Sequence, residues 1–260
     1  HDLQADARES LRFASNGYAA GTRTRRFSHH GSDSVLHVGN TLSLSDALQL
    51  QTGLALIQTR RDVQVTWPSG QPRLRRLDWD YAPRVGFTWQ QRPDLQWFGN
   101  LSRSVEAAHP WSMIWGSNQY FAAGTGASGG RQRAPVELDN QTAGTLELGA
   151  RGDAAWGRWE LTGYYAHVRH ELLSVELVPA PNLFIAENNA SPTVHRGIEA
   201  ALDSTLWQGG RSRVWLRQAY TFSDFRYRHD ARFGGNVLPG LPRHYSQGEV
   251  RYDHGSGLYA

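Results

Sequence analysis

Stretches of this chain alternate apolar and polar residues with a period of two, over lengths that few sheets need. In DALQLQTGLALIQT, Leu48, Leu50, Leu54 and Leu56 fall on one side, with Gln49, Gln51 and Gly53 on the other. Leu36, Val38, Leu42 and Leu44 share a side of VLHVGNTLSLS. Leu146, Leu148 and Ala150 oppose Thr145, Glu147 and Arg151, and Ile198, Ala200, Leu202 and Leu206 oppose His195, Glu199, Asp203 and Thr205. In SRVWLRQAYTFSDF the pattern blurs, but Val214, Leu216, Tyr220 and Phe222 share a side. The alternation predicts strands at about 17–27, 35–45, 47–60, 83–91, 94–104, 143–152, 156–169, 194–207, 212–226 and 243–254, with another starting near 257. Several exceed the ~5–6 residues usual in soluble sheets. They reach the ~9–11 residues of a membrane-crossing strand.

The connections fall into two kinds. SD at 45–46, RP at 92–93, DAA at 153–155, QGGR at 208–211 and GS at 255–256 are short turns. Between them lie long connections at about 61–82, 105–142, 170–193 and 227–242. In an up-and-down meander this puts every tight turn at one end and every long loop at the other. Bacterial outer-membrane barrels have that asymmetry. A soluble sandwich or propeller has no reason to keep it. The absence of any run of about 18 apolar residues excludes a transmembrane helix but not a barrel, whose lipid face occupies only alternate positions. A mean hydropathy of -0.56 is compatible with that. The chain has no cysteine, which excludes a disulfide framework and a thiolate site. Its net charge of +3 is mild. The basic residues, all arginine, are scattered, and only RRDVQVTWPSGQPRLRR approaches the patch that nucleic acid would require. Nucleic-acid binding is not expected.

Chemistry-bearing patterns are few. No G-x-S-x-G and no glycine-rich phosphate loop is present. His170-Glu171-Leu172-Leu173 lacks the second histidine of a zincin helix. His29 and His30 are adjacent, so in a strand they point to opposite faces. Asp78 and Asp80 share one strand face, which fits either paired glycosidase carboxylates or a polar loop edge. No catalytic residue, metal ligand or cofactor is expected, and the chain is not expected to be an enzyme. Trp89, Trp97, Trp156, Trp159, Trp207 and Trp215 stand near the short turns, where an interfacial aromatic girdle would lie.

Four stretches resemble the barrel of TonB-dependent outer-membrane receptors of the ferric siderophore and ferric citrate type. The first is YAPRVGFTWQQRPDLQWFGNLSRSVEAAHPW, with Pro83 leading a strand, a turn at Arg92 and Pro93, and Asn100, Ser102 and Ser104 before a long loop. The second is ELDNQTAGTLELGARGDAAWGRWELTGYYAHVRHELL, with Glu147, Gly149 and the paired Tyr164 and Tyr165. The third is HRGIEAAL, with Arg196, Gly197 and Glu199. The fourth is AYTFSDFRY followed by LPGLPRH, where Pro239, Gly240 and Pro242 suit a loop's return into a strand. Their order matches the family's across about 83–260, whereas 1–82 is similar only in strand rhythm.

The resemblance implies an all-β fragment, 1–260, an antiparallel meander of about 10–11 strands from a 22-stranded transmembrane barrel. It implies that the plug domain, the coupling box and the closing strands lie outside the fragment, with the stop at GLYA read as truncation. It implies a bacterial outer-membrane receptor that imports a ferric siderophore or similar scarce ligand. Its partners would be outer-membrane lipid and, through the plug, the TonB complex. Ferric chelates are often anionic, so loop arginines and aromatics are the candidate ligand contacts. These are Trp111, Trp115, Tyr120, Arg131 and Arg133 first, then Arg226, Arg228 and His229. The alternatives are a passive porin-like outer-membrane barrel and a soluble β-propeller or sandwich enzyme acting on carbohydrate.

Overall fold

The computed structural model describes residues 2–10, 19–21, 23–67, 69–115, 135–178, 184–190 and 192–260. Within these, the alternating segments form β1 (Asp2–Ser10), β2 (Arg23–Ser43), β3 (Leu48–Trp67), β4 (Arg73–Arg92) and β5 (Leu95–Glu106). A short helix, α1 (Pro110–Trp115), follows. Then come β6 (Gln141–Ala154), β7 (Gly157–Arg169), β8 (Leu172–Val178), β9 (Phe184–Asn189), β10 (Thr193–Gly209), β11 (Ser212–Tyr227) and β12 (His244–His254). Ten strands make one antiparallel sheet in the order β1-β2-β3-β4-β5-β6-β7-β10-β11-β12. β8 and β9 form a separate hairpin between β7 and β10.

Because directly paired residues point to the same side of a sheet, the register fixes which side chains share a face. One row of partners runs Leu42, Leu50, Phe87, Gly99, Leu148, Gly163, Ile198 and Phe222. The next row runs Thr41, Gln51, Gly86, Asn100, Glu147, Tyr164, Gly197 and Ser223. The first face is apolar and is called outward here; the second is polar and is called inward. Leu36, Val38, Leu54, Leu56, Leu101, Leu146, Leu161 and Ile198 are exposed on the outward face. Water would oppose such a face, whereas hydrocarbon suits it. Glu147, Glu199 and Asp203 lie inward, as the alternation predicts.

The connections of two to four residues lie at one end, at 44–47, 93–94, 155–156, 210–211 and 255–257, whereas β3 and β4 join at the other end through a connection of five residues, 68–72. Trp89, Trp97, Trp159 and Trp207 stand outward beside them, in register with outward neighbours. Trp215 departs from the girdle expectation: it points inward, where its indole donates to the Asp253 carboxylate (2.8 Å). Near the close of the last long connection, Gly240 takes a positive φ of 83° after Pro239, and β12 begins at His244. Past the last turn, Tyr252 and Ala260 exchange both backbone hydrogen bonds, so the chain is pairing again as the alternation near 257 predicts.

Three boundaries differ from the sequence reading. The expected loop at 61–82 is mostly strand: β3 continues to Trp67 and β4 starts at Arg73. Arginine-rich sequence looks loop-like, but here the charges pair across strands, with Arg73 clasping Asp62 through two bonds of 2.6 Å. The strands expected at 17–27 and 35–45 meet in the single long β2, whose N-terminal part pairs with an unanticipated β1; residues 17 and 18 lie outside the described residues. The connection 170–193 contains the β8–β9 hairpin.

The largest cluster of buried apolar residues lies off the sheet midline, on the inward face at the loop end. Phe27, Val63 and Val65 of the wall meet Ala108, Met113, Ile114, Val136 and Leu138 of the 105–142 connection. The rest of the sheet is two-faced and thin.

The face assignment has a direct test. In the full-length protein in lipid bilayers, Leu148→Arg places a cation near the middle of the outward band and is expected to cost about 2–4 kcal/mol of folding stability. Spin labels at Ile198 and Glu199 are expected to report lipid and water respectively; the opposite result inverts the two faces.

Candidate functional site

At the loop end the inward wall of β2, β3 and β4 rises beyond the outward apolar band, and the described parts of the 105–142 connection, 107–115 and 135–140, pack onto it. Gly31 makes this approach possible, since a Cβ there would stand 2.7 Å from Pro110 Cγ. Beside it Arg61 is buried. Its Nε donates to the Ala108 carbonyl (2.7 Å), and its Nη1 pairs with Asp33 (2.6 Å). A buried guanidinium with both a carboxylate and a carbonyl acts as a clamp between wall and loop. Arg76 is a second clamp. It reaches Asp78 on its own strand (2.6 Å), and Asp139 (2.7 Å) and the Leu138 carbonyl (3.1 Å) on the loop. Asn140 donates to Thr59 Oγ1 (3.1 Å) and to Asp80 (3.0 Å), which also holds Arg103 (3.0 Å).

The neighbouring hairpin is tied to the same loop. Asp139 N–H donates to Asn189 Oδ1 (2.7 Å), and Asn189 returns a bond to the Asp139 carbonyl (3.0 Å). Leu172 N–H donates to Gln141 (2.8 Å). Below the hairpin, buried Glu171 accepts from the Thr193 hydroxyl and pairs with His195 Nε2 (3.2 Å), whose ring stacks on Phe225 at 4.1 Å. The result is an inward wall at the loop end with 108–115, 135–140 and the hairpin held against it by polar side chains.

The candidate contacts scatter over this geometry. Trp111 stands on α1, half-exposed, with its ring edge-on to Phe27 at 5.3 Å. Trp115 ends α1. Tyr120, Arg131 and Arg133 lie outside the described residues. Arg228 and His229 occupy an exposed bend after β11, where His229 has a φ of 57°. Arg226 does not join them: its guanidinium lies on the outward face against Asp224 (2.8 Å). Asp78 and Asp80 do share the inward face, but each is engaged by an arginine, and they serve to hold the loop. His29 and His30 point to opposite faces as expected, His29 being buried inward. The sequence reading missed Arg61, Arg76, Asn140 and Asn189. Their only signal is an arginine or amide at inward parity in segments taken for loops.

His29 lies well above the outward apolar band and faces His109 at a ring distance of 6.2 Å. Burial holds its pKa below the usual imidazole value, and His109 pushes it the same way, while Asp6 opposes them. A depressed folded-state value means that docking is strongest above the free imidazole value of about 6.5 and is lost as pH falls through it toward the docked value. Protection factors for amide exchange at 108–115, taken against the intrinsic rate at each pH, are therefore expected to fall below about pH 6.5, and His29→Asn to flatten that dependence. An unchanged profile in the variant would assign it to another group.

The model of the TonB-dependent receptor-like β-barrel matches residues 3–259. No curated protein matches the chain. Among solved structures, the ferric yersiniabactin uptake receptor of Yersinia pestis superposes with a TM-score of 0.60 at 10% identity, over 90% of this chain and 33% of that one. The ferric-catecholate import receptor Fiu of E. coli K12 gives 0.62 at 12%, over 97% and 38%. The ferripyoverdine receptor of Pseudomonas aeruginosa gives 0.59 at 14%, over 91% and 28%. The chain thus spans about a third of the length of these structures, and at such identities they share its fold. The family comprises receptors of the bacterial outer membrane rather than enzymes, which identifies the outward face as the lipid face. The chain belongs to the TonB-dependent receptor β-barrel family and forms part of the wall of an outer-membrane barrel.

Proposed function

We propose that the intact receptor captures a ferric siderophore or similar ferric chelate at its loop end and admits it to the lumen in a TonB-driven step. The observation that carries this reading is the clamped loop. Arg61 and Arg76 fix the 105–142 connection over a polar inward wall, and Trp111 stays half-exposed on it. A rigid indole gives apolar contact area at low entropic cost. Arg131 and Arg133 on the same loop supply charge for an anionic chelate, and Arg228 and His229 supply more from the bend after β11. The similar structures are receptors named for ferric yersiniabactin, ferric catecholate and ferripyoverdine, in keeping with this cargo class.

The test uses the intact receptor. Trp111→Ala combined with Arg131→Ala and Arg133→Ala is expected to weaken ferric-chelate binding at least about tenfold, which is about 1.4 kcal/mol, with surface expression unchanged. Unchanged affinity and uptake would remove this loop from the capture site.

A further inference from the structure

Outward-facing arginines are concentrated at the loop end, and the best-built group surrounds Asp224. Arg196 is its direct cross-strand partner, and Arg226 lies two residues along the same face. The Asp224 carboxylate accepts from Arg196 (2.7 Å), Arg226 (2.8 Å) and Arg243 (3.3 Å). Its side chain is 4% exposed, whereas those of Arg196, Arg226 and Arg243 are 58%, 40% and 49% exposed. Three guanidiniums on one carboxylate leave a surplus of two positive charges. Each guanidinium has five N–H donors, so many remain directed away from Asp224. We propose that Arg196, Arg226 and Arg243, splayed on Asp224, form a binding site for the phosphate groups of a lipid in the external leaflet.

The position of the cluster selects a lipid. Phe222, Tyr220 and Ile198 lie outward just toward the turn end, so apolar wall for acyl chains adjoins the cluster. The height agrees. On β7, outward Trp159 and outward Arg169 are ten residues apart. That is roughly 33 Å along a strand at ~3.3 Å per residue, and roughly 25 Å across the bilayer for a strand tilted ~40°. Arg196 stands a similar distance from outward Trp207 on β10. One apolar band thus separates a tryptophan girdle at the turn end from arginines at the loop end. At the turn end Arg92 is matched by Asp94 (3.4 Å). At the loop end the surplus recurs on β3 and β4, where Asp62 holds both Arg73 and Arg75. Phosphate suits arginine better than lysine, because the planar fork gives two parallel bonds. The site is independent of the inward wall and of its cargo.

The experiment compares the intact receptor with Arg196→Gln/Arg243→Gln, which leaves Arg226 on Asp224. A second variant, Arg196→Gln/Asp224→Asn/Arg243→Gln, removes the carboxylate too and covers misfolding of the first. Binding is measured in detergent to lipid A, to lipid A stripped of its phosphates, and to lipid A in competition with inorganic phosphate. Phosphorylated lipid A is expected to bind at least about tenfold more weakly to the variants. The stripped lipid is expected to bind the parent about as weakly, and millimolar inorganic phosphate to displace little. Equal binding to parent and variants, or equal binding of the two lipids, would overturn the proposal. Full displacement by inorganic phosphate would mark a free-anion site and overturn the assignment to lipid.

Discussion

Inside hydrocarbon no water is available to the backbone, so every N–H and C=O must find its partner on a neighbouring strand. The rest of this structure depends on that demand. It requires an uninterrupted antiparallel ladder from β1 to β12, and the ladder in turn forces side chains to alternate between lipid and lumen. Where the ladder is broken, the break has a cause. Pairing of β4 with β5 begins at Arg84, directly after Pro83, which has no N–H to donate. Above that point β5 leaves β4, and the gap is filled by Asn140 and Arg103 on Asp80.

The ladder also explains why the buried apolar cluster is small and placed to one side. A barrel wall has lipid on one face, so its stability does not require a central core. Dry packing appears only where the chain leaves the bilayer and must hold a loop in water. Close approach on the wall is managed locally instead. A Cβ at Gly99 would stand 2.5 Å from the Phe87 ring, and one at Gly149 would stand 2.4 Å from Phe98. These glycines let aromatic rings lie flat across the neighbouring strand, one on each face.

Strand rhythm, faces and turn end were legible in the sequence because each is a local property of parity and turn chemistry. Leu54, Leu148 and Ile198 fall on one apolar face by counting alone. The upper wall was not legible. Its strands are held by cross-strand ion pairs such as Asp62 with Arg73 and by a loop remote in sequence, and a run such as RRDVQVTW carries no local mark of either. Trp215 is a different case. Its parity, opposite to Val214 and Leu216, was legible and already puts it inward, against the girdle expected from its place near a turn; only its partner Asp253, on another strand, was not. The candidate site was legible only as a loop; the clamps that fix it were not.

Parity also explains how a chain with one kind of basic residue gives that residue two uses. Arg60 and Arg61 are neighbours, as are Arg75 and Arg76, and the pleat sends the members of each pair to opposite faces. Arg61 and Arg76 turn inward to clamp the loop, while Arg75 turns outward to Asp62. A slip of one residue would put Arg60 in the place of Arg61 and Arg75 in the place of Arg76, so the clamps alone do not oppose it, whereas it would move the leucines into the lumen. In this part of the wall the register is held by residues without a like neighbour, such as Asp62, which a slip would carry away from Arg73 and Arg75 to the inward face.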